Sequence, residues 1–230
     1  MSSNKPKKRE EQSSIKTKLI LCIGLAIAIL VPRYFYTVTE WLGIASATGS
    51  PTNAFPQMWL TCVLLIGFVL LVERRPLSSL SIKKPTDKDI EWAFYFFGAA
   101  VTWSWLMSMV LSMTQNEGVN TIASLSIVTV IGLIITSAVT EEVIHRGYLL
   151  ERIAKLTGAL WVGALVSFIL FVIPHIAFFG WTWLLTHGIG AVLIYVFYLW
   201  RRNLPATMLL HLLMNAPILI PTIAGGARLF

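Results

Sequence analysis

The sequence predicts an all-α fold, a polytopic transmembrane bundle of about seven helices. The first observation is composition, since 56% of the residues are hydrophobic and only 13% are charged, whereas a soluble domain carries about 25% charged residues. The mean hydropathy of +0.74 is correspondingly high. The second observation is that apolar segments of membrane-spanning length, roughly 17 to 25 residues, follow one another along the chain. We therefore expect an integral membrane protein.

Seven apolar segments can be assigned, at 18–38, 56–73, 92–113, 121–150, 159–179, 182–200 and 204–222. The first follows Lys16 and Lys18, as the apolar part of a signal peptide would. Its apolar core is followed by Pro32 and Arg33 rather than by the small residues that mark a cleavage site. We therefore expect an uncleaved membrane helix, preceded by a disordered, basic cytosolic tail at residues 1–17.

The net charge of +7 is explained by membrane topology rather than by nucleic-acid binding. Lys and Arg concentrate in the N-terminal tail and in the loops after the second, fourth and sixth segments, whereas the alternate loops have few. Because basic residues favour the inner side of a membrane, this alternation predicts an N-terminus inside the cell and a C-terminus outside. The expected partner is the lipid bilayer, and no nucleic-acid partner is expected.

The two cysteines and one loop motif are predicted to be structural. Cys22 and Cys62 both lie in apolar segments, so we expect small apolar side chains rather than a disulfide. Thr86, with Asp89 three residues later, is typical of a helix N-cap. This pair predicts the start of the third helix.

Two adjacent carboxylates, Glu141 and Glu142, follow the apolar run 122–139 of the fourth segment. A charge inside a bilayer is costly, and such residues usually pair or take part in function. Glu142 and Arg146 are four residues apart on one helical face, which predicts an ion pair and leaves Glu141 as a candidate general base. Side chains at adjacent helical positions point about 100° apart, so we do not expect Glu141 and Glu142 to share one role. The alternative is that both glutamates are solvated at a helix end.

Polar side chains also interrupt two later apolar segments. His175 follows Pro174, and because proline removes a backbone donor and frees a carbonyl one turn back, we expect a polar pocket there. The alternative is a histidine bonded to a neighbouring backbone group. His211 and Asn215 lie four residues apart on one helical face. They would hold a substrate carbonyl or a water molecule, or else only join helices by hydrogen bonds.

The depth of these groups in the membrane follows from their distance to the predicted turns. With a turn at Thr157 and Gly158, Glu141 and His175 both lie about 25 Å from it at a rise of 1.5 Å per residue. The two side chains would then face each other. Hydropathy by itself puts Glu141 at the inner surface instead. The deeper position requires that other helices enclose the polar half of the fourth segment.

Three motifs, each on a different predicted membrane helix, resemble a known family when they are taken in order. They are Glu141-Glu142-x-x-x-Arg146, Phe171-x-x-x-His175 and His211-x-x-x-Asn215. This arrangement is similar to that of the CPBP family, which comprises the CAAX proteases and bacteriocin-processing enzymes and is also called the Abi family. The resemblance covers about residues 120–222.

The resemblance implies an intramembrane glutamic endopeptidase that acts on a membrane-associated peptide or on a lipidated, CAAX-type protein. By motif position, Glu141 and His175 would activate water. His211 and Asn215 would form the oxyanion site. The implied supporting residues are Glu142, Arg146 and Phe171. The resemblance also implies catalysis without a metal or other cofactor, although two histidines and a glutamate could alternatively bind zinc.

With this resemblance the chain divides into four parts. These are the tail at 1–17, N-terminal membrane helices at 18–118, a CPBP-like catalytic core at 119–222 and a short C-terminal tail at 223–230. The small size and short loops resemble the bacterial members of the family. They imply a bacterial plasma membrane and a role in bacteriocin immunity or peptide processing.

Two functions of other classes also fit the sequence. A non-catalytic immunity or scaffold protein would bind a peptide, and its polar membrane residues would only join helices. A transporter is disfavoured, because many transporters are built from repeats and no internal repeat is visible in this chain.

Overall fold

The fold is helical throughout the residues that the structure describes. The structure, a computed structural model, describes residues 4–111 and 117–225, with side chains from residue 14 onward, and no strand occurs in these ranges. Among the described residues, six helical spans are long and apolar enough to cross a membrane, and a further apolar helix is shorter. The prediction of an all-α transmembrane bundle of about seven helices is confirmed.

The helices are numbered in chain order. They are α1 (Asn4–Trp41), α2 (Ala54–Leu71), α3 (Asp87–Val110), α4 (Glu117–Ala123), α5 (Ile127–Glu141), α6 (Glu151–Thr157), α7 (Leu160–Phe179), α8 (Thr182–Thr186), α9 (Gly188–Arg201), α10 (Leu204–Asn215) and α11 (Leu219–Ala224). A π-helix, Glu142–Leu150, joins α5 to α6, and 3-10 turns lie at Pro51–Asn53, Leu77–Leu80 and Ala216–Ile218.

The first helix is longer than the predicted segment. It begins at Asn4, so the stretch predicted as a disordered tail is helical from there on. Lys, Glu and Gln recur in this stretch and are good helix formers, and a helix extends easily once its first turn exists. Residues 1–3 of the predicted tail, and residues 226–230 of the predicted C-terminal tail, lie outside the described residues.

The last two predicted segments are each interrupted. The sixth breaks at His187, which separates the short α8 from α9. The seventh passes into a 3-10 turn after Asn215, where Pro217 cannot donate a backbone hydrogen bond. Hydropathy does not reveal either interruption, because the residues on both sides are apolar.

The fourth segment is one continuous membrane span made of three helical pieces. Together α5, the π-helix and α6 form a span of 31 residues, Ile127–Thr157, and Glu141 lies near its middle. The span ends at Gly158, whose φ of +73° is a left-handed conformation that glycine adopts without strain. This is the predicted turn into α7. A place near the middle of the span agrees with the deeper of the two positions that the sequence left open for Glu141.

The π-helix is almost wholly enclosed by other elements. Eight of its nine residues are buried, and His145 is partly exposed. Helices α1, α2, α5, α7 and α10 all pack against it. Its Tyr148 and Leu149 belong to a core cluster with α2, whereas Val143 and Leu150 belong to a cluster with α7 and α9. The enclosure that a deep position of the glutamates requires is thus present.

A buried ion pair ties the loop after α2 to the long central span. At the start of α6, Nη2 of Arg152 lies 2.7 Å from Oε2 of Glu73, and both side chains are nearly inaccessible. Arg152 also donates to the carbonyl oxygen of Ser79 at 3.0 Å, and Tyr148 donates to Glu73 at 2.8 Å. Because these bonds satisfy the buried charges, they fix the loop against the basic end of the bundle, which is the end that carries the loops rich in Lys and Arg.

The predicted N-cap at Thr86 is confirmed. Its hydroxyl accepts from the backbone N–H of Asp89, whose carboxylate accepts in turn from the backbone of Thr86. The same carboxylate pairs with Nε of Arg201 at 2.6 Å and accepts from Asn203 at 3.2 Å. The start of α3 is therefore joined to the connection between α9 and α10.

Gly163 permits a close approach between α7 and the end of the π-helix. A Cβ at this position would collide with the carbonyl oxygen of Leu150 and would lie 2.9 Å from the backbone nitrogen of Ala154. Because the obstacles are backbone atoms, we expect Gly163→Ala to lower the free energy of unfolding by about 1–3 kcal/mol. Gly98→Ala on α3 is the control, since nothing lies within 4 Å of its added Cβ. Thermal unfolding in detergent compares the two variants, and equal melting temperatures would contradict the close approach.

Candidate functional site

A buried ion pair lies at the start of the π-helix, in the middle of a membrane span. Nη1 of Arg146 is 2.9 Å from Oε1 of Glu142, and neither side chain has exposed surface. The pair predicted from the four-residue spacing is therefore present. π-helical turns are rare and often occur at functional sites. The change from α-helix to π-helix thus occurs at the position of the buried charges.

Two aromatic rings enclose the guanidinium of Arg146. Its Cζ lies 4.2 Å from the ring centre of Phe171 and 4.1 Å from that of Tyr195, within the range of about 6 Å for a cation–π interaction. Ser167 donates to the carbonyl oxygen of His145 at 2.6 Å and lies 2.9 Å from the hydroxyl of Tyr195. Since Ser167 has a single hydroxyl hydrogen, Tyr195 is the donor to it. This chain of hydroxyl groups fixes the ring under Arg146.

His211 lies between the two glutamates. Its Nδ1 is 2.7 Å from Oε1 of Glu142, and its Nε2 is 3.8 Å from Oε2 of Glu141. The guanidinium of Arg146 faces the same oxygen of Glu142, so the carboxylate is the acceptor and Nδ1 is the donor. The angular separation of the adjacent glutamates therefore brings them to opposite nitrogens of one ring.

His175 donates through Nδ1 to the carbonyl oxygen of Phe171 at 2.7 Å, because a carbonyl oxygen can only accept. The backbone contact that the sequence offered as an alternative is thus present, and in the neutral ring it leaves Nε2 as an acceptor. The imidazole stacks on the indole of Trp183, with ring centres 4.8 Å apart. Within the described part of the chain, no ion pair joins His175 to Glu141.

Asn215 reaches α5 through a serine. Its Nδ2 donates to Oγ of Ser137 at 3.2 Å, and Ser137 donates its own hydrogen to the carbonyl oxygen of Leu133 at 2.7 Å. Ser137 lies one helical turn before Glu141, on the same face. His211 and Asn215, the two predicted site residues of α10, therefore contact the same long span.

The structure brings the predicted site residues to one region of the bundle. Direct contacts join Glu141, Glu142, Arg146 and His211. Phe171 lies beside this group, with its ring centre 6.1 Å from that of His211, and it bonds His175. Asn215 is joined to α5 instead of to the other site residues.

Four residues that contact the predicted site residues were not themselves predicted from the sequence. They are Ser137, Ser167, Trp183 and Tyr195. Ser137 could have been found, because it lies four residues before Glu141 on one helical face. The other three stand in apolar helices without a charged neighbour at helical spacing, so no local pattern distinguishes them from core residues.

The donor groups of this region do not form a metal site in the present arrangement. Among the described residues, no three His, Cys, Asp or Glu side chains are grouped as metal ligands. One reason is that Oε1 of Glu142 already faces both Arg146 and Nδ1 of His211. A zinc ion needs three or four protein ligands directed at one point.

Comparison with known proteins finds a family model that matches a segment within the second half of the chain. Residues 123–217 match the model of the family described as Type II CAAX prenyl endopeptidase Rce1-like. The match spans every predicted site residue and confirms the resemblance to CAAX proteases. No curated protein and no solved structure gave a significant match.

The buried pair makes folding depend on both of its partners. Arg146→Met would leave Glu142 fully buried without its cation, which typically costs about 3–5 kcal/mol, so we expect a clear loss of folded protein. Adding Glu142→Met should restore folding, because apolar side chains often replace a buried pair without loss of stability. Size-exclusion yield and melting temperature in detergent measure both effects. Equal folding of the single and double variants would show that the pair is dispensable.

Proposed function

We propose that this membrane protein, which carries a segment similar to the type II CAAX prenyl endopeptidases, is an intramembrane endopeptidase. It would hydrolyse a peptide bond of a membrane-associated peptide or of a lipidated protein. The observation that carries the proposal is the contact group of Glu141, Glu142, Arg146 and His211 within a membrane span. Ionisable side chains at such depth are costly, and they commonly mark sites of chemistry.

Glu141 is the proposed general base. Its Oε2 is buried and accepts no hydrogen bond from the described residues, whereas Glu142 is engaged by Arg146 and His211. The distance of 3.8 Å from Oε2 to Nε2 of His211 is too long for a hydrogen bond and short enough for one water molecule to bridge. His175 would accept a second hydrogen bond from the attacking water through Nε2.

The proposed reaction has two steps. In the first, Glu141 takes a proton from water while the water oxygen bonds to the substrate carbonyl carbon, and the carbonyl oxygen becomes an oxyanion. His211 and Asn215 would donate hydrogen bonds to that oxygen. In the second, the bond from carbon to nitrogen breaks, and Glu141 returns the proton to the leaving amine. Atoms and charges balance without a metal ion or another cofactor.

The role of Glu142 follows from the tautomer of His211. Because Nδ1–H is given to Glu142, the ring can donate from Nε2 only when it carries both protons. The two glutamates, Arg146 and a doubly protonated His211 would then carry equal numbers of negative and positive charges. The pair of Glu142 and Arg146 would therefore orient His211 and balance its charge.

The proposed orientation and biological role follow the charge pattern and the family resemblance. The loops rich in Lys and Arg would lie at the inner surface, with the N-terminus inside. A bacterial plasma membrane, and a role in peptide processing or bacteriocin immunity, belong to this proposal. The substrate would be recognised in or at the bilayer.

The decisive experiment measures cleavage of lipidated and hydrophobic peptides by the purified protein. Glu141→Gln, His175→Ala and His211→Ala should each lower kcat by about 100-fold or more, since each removes a proposed base or charge-stabilising group. Glu40→Gln is the matched control, because Glu40 is exposed on α1. Wild-type turnover in a well-folded Glu141→Gln protein would overturn the assignment.

A zinc chelator in the same assay separates the two hydrolytic mechanisms. Full activity of the wild type in chelator is expected for glutamate-activated water. Loss of activity in chelator, regained with added zinc, would establish a metalloprotease instead. The wild type could cleave none of the peptides, and it and Glu141→Gln could bind one of them equally well. That result would favour the non-catalytic peptide-binding protein over the protease.

The double variant Glu142→Met with Arg146→Met tests the proposed role of Glu142 in the reaction. It should fold, yet it lacks the acceptor that holds Nδ1 of His211, so we expect kcat to fall by about 100-fold or more. The measurement is kcat at a melting temperature equal to that of the wild type. A fully active double variant would show that the pair is only structural.

A further inference from the structure

The side-chain amide of Asn215 has two ends of nearly equal size, and only one of them can help the reaction. Its NH2 group would stabilise an oxyanion, whereas its carbonyl oxygen would repel one. Packing does not select the orientation, since Asn215 is only partly buried. It lies at the last position of α10, where the α-helix passes into a 3-10 turn. A specific hydrogen bond must therefore hold the amide.

Ser137 provides that hydrogen bond and can only accept it. Its single hydroxyl hydrogen is directed at the backbone carbonyl oxygen of Leu133, 2.7 Å away, and a carbonyl oxygen has no hydrogen to give back. The lone pairs of Oγ therefore face Asn215, and they select its NH2 group at 3.2 Å. One amide hydrogen is used in this contact, and the second stays available to a substrate oxygen.

We propose that Ser137 is a positioning residue that fixes the amide of Asn215 with a hydrogen directed at the developing oxyanion. This proposal rests on the proposed function, in which Asn215 is one of the two oxyanion donors. Ser137 precedes Glu141 by four residues and shares its helical face. Helix α5 thus carries the general base and, one turn earlier, the group that orients a donor on α10.

The test compares three substitutions on one helix. Ser137→Ala removes the acceptor, so we expect kcat to fall about 3- to 10-fold, the worth of one hydrogen bond, with KM unchanged. Ser137→Thr keeps a hydroxyl that can bond the carbonyl four residues back, as Thr140 bonds Thr136 at 2.7 Å, and should restore kcat. Thr140→Val is the control, because it removes a buried hydroxyl whose recorded hydrogen bond goes to the backbone of Thr136 and to no proposed site residue. Melting temperatures in detergent should stay equal to that of the wild type.

A double-mutant cycle with Asn215→Ala identifies the route by which Ser137 acts. If the serine works through the amide, adding Ser137→Ala to Asn215→Ala causes no further loss of kcat. Additive losses would overturn the positioning role. Wild-type kcat in Ser137→Ala, beside a strongly impaired Asn215→Ala, would overturn it too and leave the proposed function intact. Wild-type kcat in Asn215→Ala would overturn the oxyanion assignment itself, and the role of Ser137 with it.

Discussion

The ion pair of Glu142 and Arg146 is the interaction on which the centre of this bundle depends. Two charges without exposed surface are tolerated in an apolar interior only when close partners compensate the lost solvation. Each partner comes from a different helix: α7 supplies Phe171, α9 supplies Tyr195 and α10 supplies His211. One guanidinium and one carboxylate therefore have close partners on three helices that meet at the centre of the bundle.

Changes of helix type occur where the polar groups lie. The α-helix passes into a π-helix between Glu141 and Glu142, and α10 passes into a 3-10 turn after Asn215. A π-helix has more residues per turn than an α-helix, so side chains leave the regular faces of the segment. This irregularity lets adjacent glutamates reach opposite nitrogens of His211, a geometry in which one can orient the ring and the other can serve as a base.

The span formed by α5, the π-helix and α6 is held in place at two positions along its length. Inside the bundle, Arg146 is enclosed by aromatic rings, and six residues later Arg152 is paired with Glu73 at the basic end. Anchors at both positions prevent the span from rotating or sliding, because either movement would separate a buried charge from its partner. A site that depends on contacts of about 3 Å needs such rigidity, since small displacements weaken catalysis strongly.

The sequence by itself determined the membrane class, the approximate helices, the pair of Glu142 and Arg146 and the order of the three motifs, because composition and four-residue spacing are local properties of a chain. It did not determine the interruptions at His187 and after Asn215, or the helical start of α1. Only the tertiary structure decided the enclosure of the π-helix, the place of His211 between two carboxylates and the contacts of Tyr195 and Ser137. These relations join helices distant in sequence, and they depend on how each helix is rotated in the bundle, which no local pattern encodes.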